Sequence, residues 1–181
     1  VTAEVEGSAA ALNAALKDAK VTDALTVTLT GTTATAKDLI ELATKTSSIV
    51  DASSIKTITG NAADVISSLS NTTLADNVAV TITGTVTIAD IAAIKAIAST
   101  GIIKATLEGS ATELATLASS STDLLTLKVT GDTATAADLV KVDAATSLTV
   151  NASAVKEISG IAADLKTIYA SKTISGLGNE A

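Results

Sequence analysis

Aliphatic and hydroxyl residues alternate in short runs along this chain, and each run ends near a glycine. Leu25, Val27 and Leu29 alternate with Thr26, Thr28 and Thr30. Val78, Val80 and Ile82 alternate with Ala79, Thr81 and Thr83, and Leu125, Leu127 and Val129 with Thr126, Lys128 and Thr130. A period of two places aliphatic side chains on one face and Thr or Lys on the other, which predicts half-buried β-strands.

After each glycine the period changes. Thr35 stands three positions before Asp38, Asn61 before Asp64, Thr87 before Asp90, Ser110 before Glu113 and Thr135 before Asp138. A capping side chain followed at that spacing by a carboxylate marks a helix start, because both can satisfy first-turn N–H groups and the carboxylate favours the positive helix end. Two starts depart from the pattern: Ile161 precedes Asp164, and Ser8 is followed by Ala11. Those two helices are expected to begin less sharply. Leu39, Ile40, Leu42 and Ala43, or Ile91, Ala92, Ile94, Ile97 and Ala98, then recur at helical spacing.

The same units repeat. Residues 22–70 laid over residues 122–170 without gaps agree at about half of all positions. Within this long repeat the glycines Gly7, Gly31, Gly60, Gly84, Gly109, Gly131 and Gly160 recur every 22 to 29 residues, the length of one strand-plus-helix coil. The expected fold is α/β: a right-handed solenoid of about seven strand-Gly-helix coils over residues 1–181, with a parallel sheet on one side and short Ala-rich helices on the other. Strands pair more closely than helices pack, so the array should curve with its helices outside. In the two longest coils Ile55 and Ile58, like Val155 and Ile158, are three apart. There the strand is expected earlier, near residues 49–52 and 148–152, followed by a bend that returns Ile55 or Val155 to the core; a bulge is the alternative.

Composition supports repetition. Of 181 residues 47% are hydrophobic, yet Phe, Trp, Met, Cys and Pro are absent and Tyr169 is the only aromatic. Small aliphatic side chains fill a core without voids only where one packing unit recurs. Tyr169 occupies the position of Leu69 one long repeat earlier and reads as a core or cap residue near the end of the array. With no Met, the chain is expected to be a processed form or an excised piece.

Charge and chemistry narrow the functions. The net charge is −7, with no basic stripe and no stacking platform, which argues against nucleic acid as a partner. No apolar run reaches membrane-spanning length, so no membrane insertion is expected. Without His or Cys the usual metal ligands, bases and thiol nucleophiles are missing, and no catalytic, cofactor-binding or metal residue is assigned. The carboxylates Asp38, Asp64, Asp90, Glu113, Asp138 and Asp164 read as helix caps rather than a catalytic ladder. Asp23, Asp51, Asp76 and Asp123 lie before or early in strands, where stacked carboxylates could take calcium; no EF-hand or Gly-Gly-x-Gly-x-Asp pattern accompanies them, and Asn151 stands where Asp51 does. They read as solvated loop residues. Glu108 is the one carboxylate placed on a strand face, and a glycoside-cleaving pair needs two. Thr rows read as ordinary exposed strand, with a glycan, a mineral surface or another copy as possible contacts. Asn71-Thr72-Thr73 and Asn151-Ala152-Ser153 match the glycan-acceptor pattern, which arises easily in a Ser/Thr-rich chain.

The runs Ile58-Thr59-Gly60-Asn61-Ala62-Ala63-Asp64-Val65, Leu107-Glu108-Gly109-Ser110-Ala111-Thr112-Glu113-Leu114 and Ile158-Ser159-Gly160-Ile161-Ala162-Ala163-Asp164-Leu165 resemble repeats of very large bacterial surface proteins, cyanobacterial ones among them. The resemblance implies an exported adhesin, surface-layer or motility-associated protein, located outside the cell or on its surface, and carries over no functional residues. Together these readings give a non-enzymatic structural module that acts as spacer or self-assembly unit. Its expected partners are neighbouring repeats or other copies of itself. The alternative is a carbohydrate- or calcium-binding surface module; open solenoid ends expose strand edges that must be capped or joined.

Overall fold

The computed structural model describes residues 2–178. The fold is α/β with parallel sheets, and seven helices lie among the described residues. The chain forms two compact units, residues 1–84 with 93–102 and residues 85–92 with 103–181.

In the first unit, strands β1 (Thr2–Gly7), β2 (Ala24–Leu29), β4 (Val50–Asp51) and β6 (Thr72–Thr73) form one parallel sheet in that order. Strands β3 (Thr33–Thr35), β5 (Thr57–Gly60) and β7 (Ala79–Ile82) pair side by side in a second parallel set. Helices α1 (Ala9–Ala15), α2 (Ala36–Ala43) and α3 (Ala62–Asn71) pack in chain order, α2 between the other two. Pairing is parallel throughout, for example Val5 with Val27 and Ile58 with Val80, so each strand meets its counterpart one coil later. A parallel neighbour requires a crossover, and the helices supply it.

The second unit repeats the plan. Strands β8 (Ile103–Gly109), β9 (Leu124–Val129), β11 (Val150–Asn151) and β13 (Ile174–Ser175) pair in that order, and β10 (Thr133–Thr135) pairs with β12 (Glu157–Ser159). Helices α5 (Ala111–Leu114), α6 (Ala136–Ala144) and α7 (Ala162–Ala170) follow the order of α1, α2 and α3. The pairing Thr28 with Asp51 recurs as Lys128 with Asn151, whereas Val50 faces Thr72 and Val150 faces Ile174, two residues beyond the equivalent Lys172. Between β7 and β8 in the chain runs α4 (Ile88–Ile97).

Each predicted strand buries the aliphatic half of its alternation: Leu25, Val27 and Leu29 in β2, Leu125, Leu127 and Val129 in β9, and Val78, Val80 and Ile82 at β7. The helix starts fall where the spacing puts them. Thr35, Asn61, Ser110 and Thr135 accept from the backbone N–H of Asp38, Asp64, Glu113 and Asp138, and Thr87 from that of Asp90. Ile161 makes no side-chain cap. Ser8 does cap, accepting from Ala11 at 3.3 Å, but without a returning carboxylate.

Three features differ from the expectation. A single strand per coil was expected, whereas the 29-residue coils carry two, the second being β5 or β12. The turn after Asp51 and Asn151 sends Ile55 and Val155 into the core, as expected of a bend, and the chain then pairs again instead of entering the helix. Likewise a three-residue strand, β3 or β10, separates Gly31 or Gly131 from its helix. Tyr169 is 53% exposed, which excludes the core half of its reading as a core or cap residue.

The glycines share a period without sharing a reason. Gly31 and Gly131 turn the chain between two strands at φ +99° and +94°, a conformation that costs a side-chain-bearing residue energy. Gly60 and Gly160 instead sit against a helix: a Cβ on either would come within 2.7 or 2.8 Å of the Cβ of Ala36 or Ala136.

Candidate functional surface

The side chains able to do chemistry are mainly carboxylates, lysines and hydroxyls, and the structure disperses them. Four of those at helix starts are engaged there. Asp38 accepts from the Thr35 hydroxyl at 2.8 Å, Asp64 from the Asn61 amide at 2.7 Å and Asp90 from the Thr87 hydroxyl at 2.8 Å. Glu113 accepts from both the N–H and the hydroxyl of Ser110, closing a reciprocal capping box. These bonds hold the Glu113 carboxyl below its ordinary value, the Ser110 hydroxyl contributing most and its N–H next. Asp138 reaches sideways to the hydroxyl of Thr112 on α5 at 3.1 Å.

The second acidic group divides. Asp23 and Asp123 close equivalent turns, accepting from the N–H of Lys20 at 3.0 Å and of Ser120 at 2.9 Å. Asp123 is fully buried, and its other oxygen accepts from the Ile103 N–H at 2.8 Å. The reading of Asp123 as a solvated loop residue is therefore corrected: a carboxylate with backbone donors on both oxygens is held by the fold, and the backbone bonds replace its water. Asp51 accepts from the Ser53 N–H at 3.0 Å, and Asn151 does the same from Ser153 at 3.0 Å. That turn needs one acceptor oxygen and no charge, which explains why Asp and Asn interchange. The Ser53 backbone and then its hydroxyl lower the Asp51 carboxyl below its ordinary value. Asp76 contributes its carbonyl, which accepts from the Thr100 hydroxyl at 3.0 Å. Among the described residues no three or more acidic side chains gather as a metal-binding group.

The strand faces hold the remaining polar display. In the first unit the outward positions of β1 and β2 carry Glu4 opposite Thr26 and Glu6 opposite Thr28. In the second, Thr106 lies opposite Thr126 and Glu108 opposite Lys128, and Glu108 and Lys128 form an ion pair at 3.2 Å. Glu108 is thus not the one carboxylate on a strand face, since Glu4 and Glu6 are exposed on β1. Period-two alternation there was masked by Ala3, a small exposed residue opposite the buried Leu25 of β2. Glu108 and Glu113 do line one open cleft with Thr85, Thr87 and Leu107. Glu108 is paired with Lys128, and Glu113 accepts two hydrogen bonds from Ser110.

No protein family, curated protein or solved structure matches this chain. Among the described residues no helix is long and apolar enough to cross a membrane.

Sequence reasoning missed the buried polar positions. Thr46 and Thr146 are buried one coil beyond Leu25 and Leu125, and each hydroxyl serves both backbone groups of that leucine. The unbroken identity of Thr46-Ser47 with Thr146-Ser147 inside otherwise divergent stretches was the available signal.

Proposed function

We propose that the chain is a structural repeat module of an exported bacterial surface protein, such as an adhesin, surface layer or filament, and acts as a spacer or self-assembly unit. In this reading it is a right-handed solenoid of about seven strand-Gly-helix coils, whose aliphatic interiors stack into a continuous core. The observation that carries it is the repeated pairing order. The strands of β1-β2-β4-β6 recur as β8-β9-β11-β13, each pairing in parallel with its counterpart about one coil length later. A chain so built is stabilised by nearest-neighbour coils, and its length is set by coil number rather than by a closed core. The engagement of its carboxylates in caps and turns supports a structural over a catalytic role. Electron microscopy and light scattering of concentrated protein test the assembly reading: rod-like particles that lengthen with concentration are expected, and monomers at every concentration refute it.

A second reading, glycan binding, has support from the row Glu4, Glu6, Thr26 and Thr28, which lines an open polar cleft. Acidic and hydroxyl groups side by side on a flat strand face suit sugar hydroxyls. A glycan array with the Glu4→Ala, Glu6→Ala variant as control decides it; signal lost in that variant favours binding, and a blank array removes it.

A further inference from the structure

The chain carries two Asn-x-Ser/Thr triplets, Asn71-Thr72-Thr73 and Asn151-Ala152-Ser153, and the fold treats their amides differently. Asn71 ends α3. Its Nδ2 donates to the Ser67 carbonyl at 2.8 Å and to the Ser67 hydroxyl at 3.4 Å, so the nitrogen is engaged at the helix end. Asn151 lies in β11, is exposed, and stands between the exposed Lys128 of β9 and Ser175 of β13. Its Oδ1 accepts from the Ser153 N–H at 3.0 Å, while its Nδ2 and the hydroxyl of the exposed Ser153 have no hydrogen-bond partner among the described residues. The equivalent turn of the first unit shows which of these atoms the fold needs. Asp51 accepts from the Ser53 N–H at 3.0 Å in the same way and has no amide nitrogen. One acceptor oxygen is enough to close the turn. The Asn151 nitrogen is therefore surplus to the turn, and it stands two residues before a free hydroxyl, the spacing that sugar transfer to asparagine requires.

We infer that this turn presents Asn151 as the acceptor of an N-linked glycan and that the end of α3 withholds Asn71. In the transfer, Nδ2 attacks the anomeric carbon of a polyprenyl-diphosphate-linked sugar. The carbon–nitrogen bond forms, the bond from that carbon to the diphosphate oxygen breaks, the diphosphate leaves with the electron pair, and one amide proton passes to a base of the transferase. The carbonyl oxygen takes no part, so Asn151 still closes its turn once modified. At Asn71 the same step has to release the nitrogen from Ser67. A glycan on Asn151 adds a bulky, hydrated group beside Lys128 and Ser175 on the exposed sheet surface. Transfer of this kind takes place on exported chains, so its occurrence in the cell rests on the export proposed above, whereas the folded chain alone suffices to test the site.

Purified folded protein is incubated with a polyprenyl-diphosphate oligosaccharide and a single-subunit transferase that modifies both triplets in short peptides. Mass spectrometry of the intact chain and of its peptides is expected to place the glycan at Asn151, with Asn71 occupied at least about threefold less because a hydrogen bond must first be given up there. Asn151→Gln and Ser153→Ala are expected to abolish the modification with circular dichroism unchanged. Ser153→Ala keeps the N–H that closes the turn and removes only the hydroxyl. Asp51→Asn completes a triplet with Ala52 and the exposed Ser53 on the matching turn, and is expected to add a second glycan. A folded chain that stays unmodified, occupancy at Asn71 equal to or above that at Asn151, or an Asp51→Asn variant that gains nothing overturns the inference. Each of these results leaves the surface-protein reading standing.

Discussion

The hydroxyl of Thr46 spans both backbone groups of Leu25, accepting from its N–H at 3.0 Å and donating to its carbonyl at 2.7 Å. It also accepts from the Ser48 N–H at 3.0 Å. Thr146 repeats the arrangement on Leu125 and Leu148. One buried side chain thus begins a strand by fastening it to the coil before it.

Replacing Thr46 or Thr146 by Val keeps the volume and leaves buried N–H and C=O groups unsatisfied. Each substitution is expected to cost about 1–3 kcal/mol, and Ser in the same place markedly less. Urea denaturation with unchanged slope measures the difference; a neutral Thr146→Val shows the latch to be dispensable.

Gly60→Ala brings a Cβ against that of Ala36, 2.7 Å away. A loss of about 1–3 kcal/mol is expected, and Ala36→Gly in the same chain should recover part of it, because the clash is between these two groups. Gly109→Ala serves as contrast. Its Cβ would meet Leu114 and Glu113 at 3.4 to 3.6 Å, ordinary contacts, and the change should be close to neutral.

Asn61 caps α3 and its counterpart Ile161 leaves α7 without a side-chain cap. Asn61→Ala should destabilise by about 1 kcal/mol, while Ile161→Asn should stabilise by a similar amount. Thermal melts of the two variants check both signs. Failure of Ile161→Asn to raise the melting temperature would mean that the α7 start contributes little to the cooperative unit.

The Glu113 carboxyl is held below its ordinary value of 4.5 by Ser110. A depressed folded-state value contributes stability that is present above the ordinary value and lost as pH falls through the folded one. Ser110→Ala should therefore shrink the difference in stability between neutral pH and about pH 3, apart from its pH-independent capping loss. An unchanged difference shows that Ser110 does not set the carboxyl.

Asp123→Ala removes the acceptor for the buried N–H of Ile103 and for the Ser120 N–H. A loss of about 1–3 kcal/mol or more is expected from orphaned donors of this kind. Asp123→Asn should recover part of it, since one side-chain oxygen remains. Hydrogen exchange at Ile103 reports the site directly: faster exchange in the Ala variant is expected, and unaltered protection contradicts the assignment.

The sequence alone determined the longer strands, the helix starts and their order. Period-two runs such as Leu25-Thr26-Val27-Thr28-Leu29 bury one face whatever surrounds them, and the spacing of Thr35 to Asp38 or Ser110 to Glu113 places a helix start through bonds within four residues. Local physics of that kind is legible because both partners lie in one short window. The short strands β3, β5, β10 and β12 were not legible, since three or four residues such as Thr33-Ala34-Thr35 acquire strand geometry only from a neighbour one coil away. The burial of Asp123 and the latch at Thr46 needed tertiary structure for the same reason: their partners are 20 and 21 residues distant. Helices α3 and α7, which both open with Ala-Ala-Asp, also received different fates. Ala62 and Ala162 stand at equivalent positions of the same Ala-Ala-Asp opening, yet one is buried and the other exposed, because burial depends on what packs against the helix and not on the residues within it.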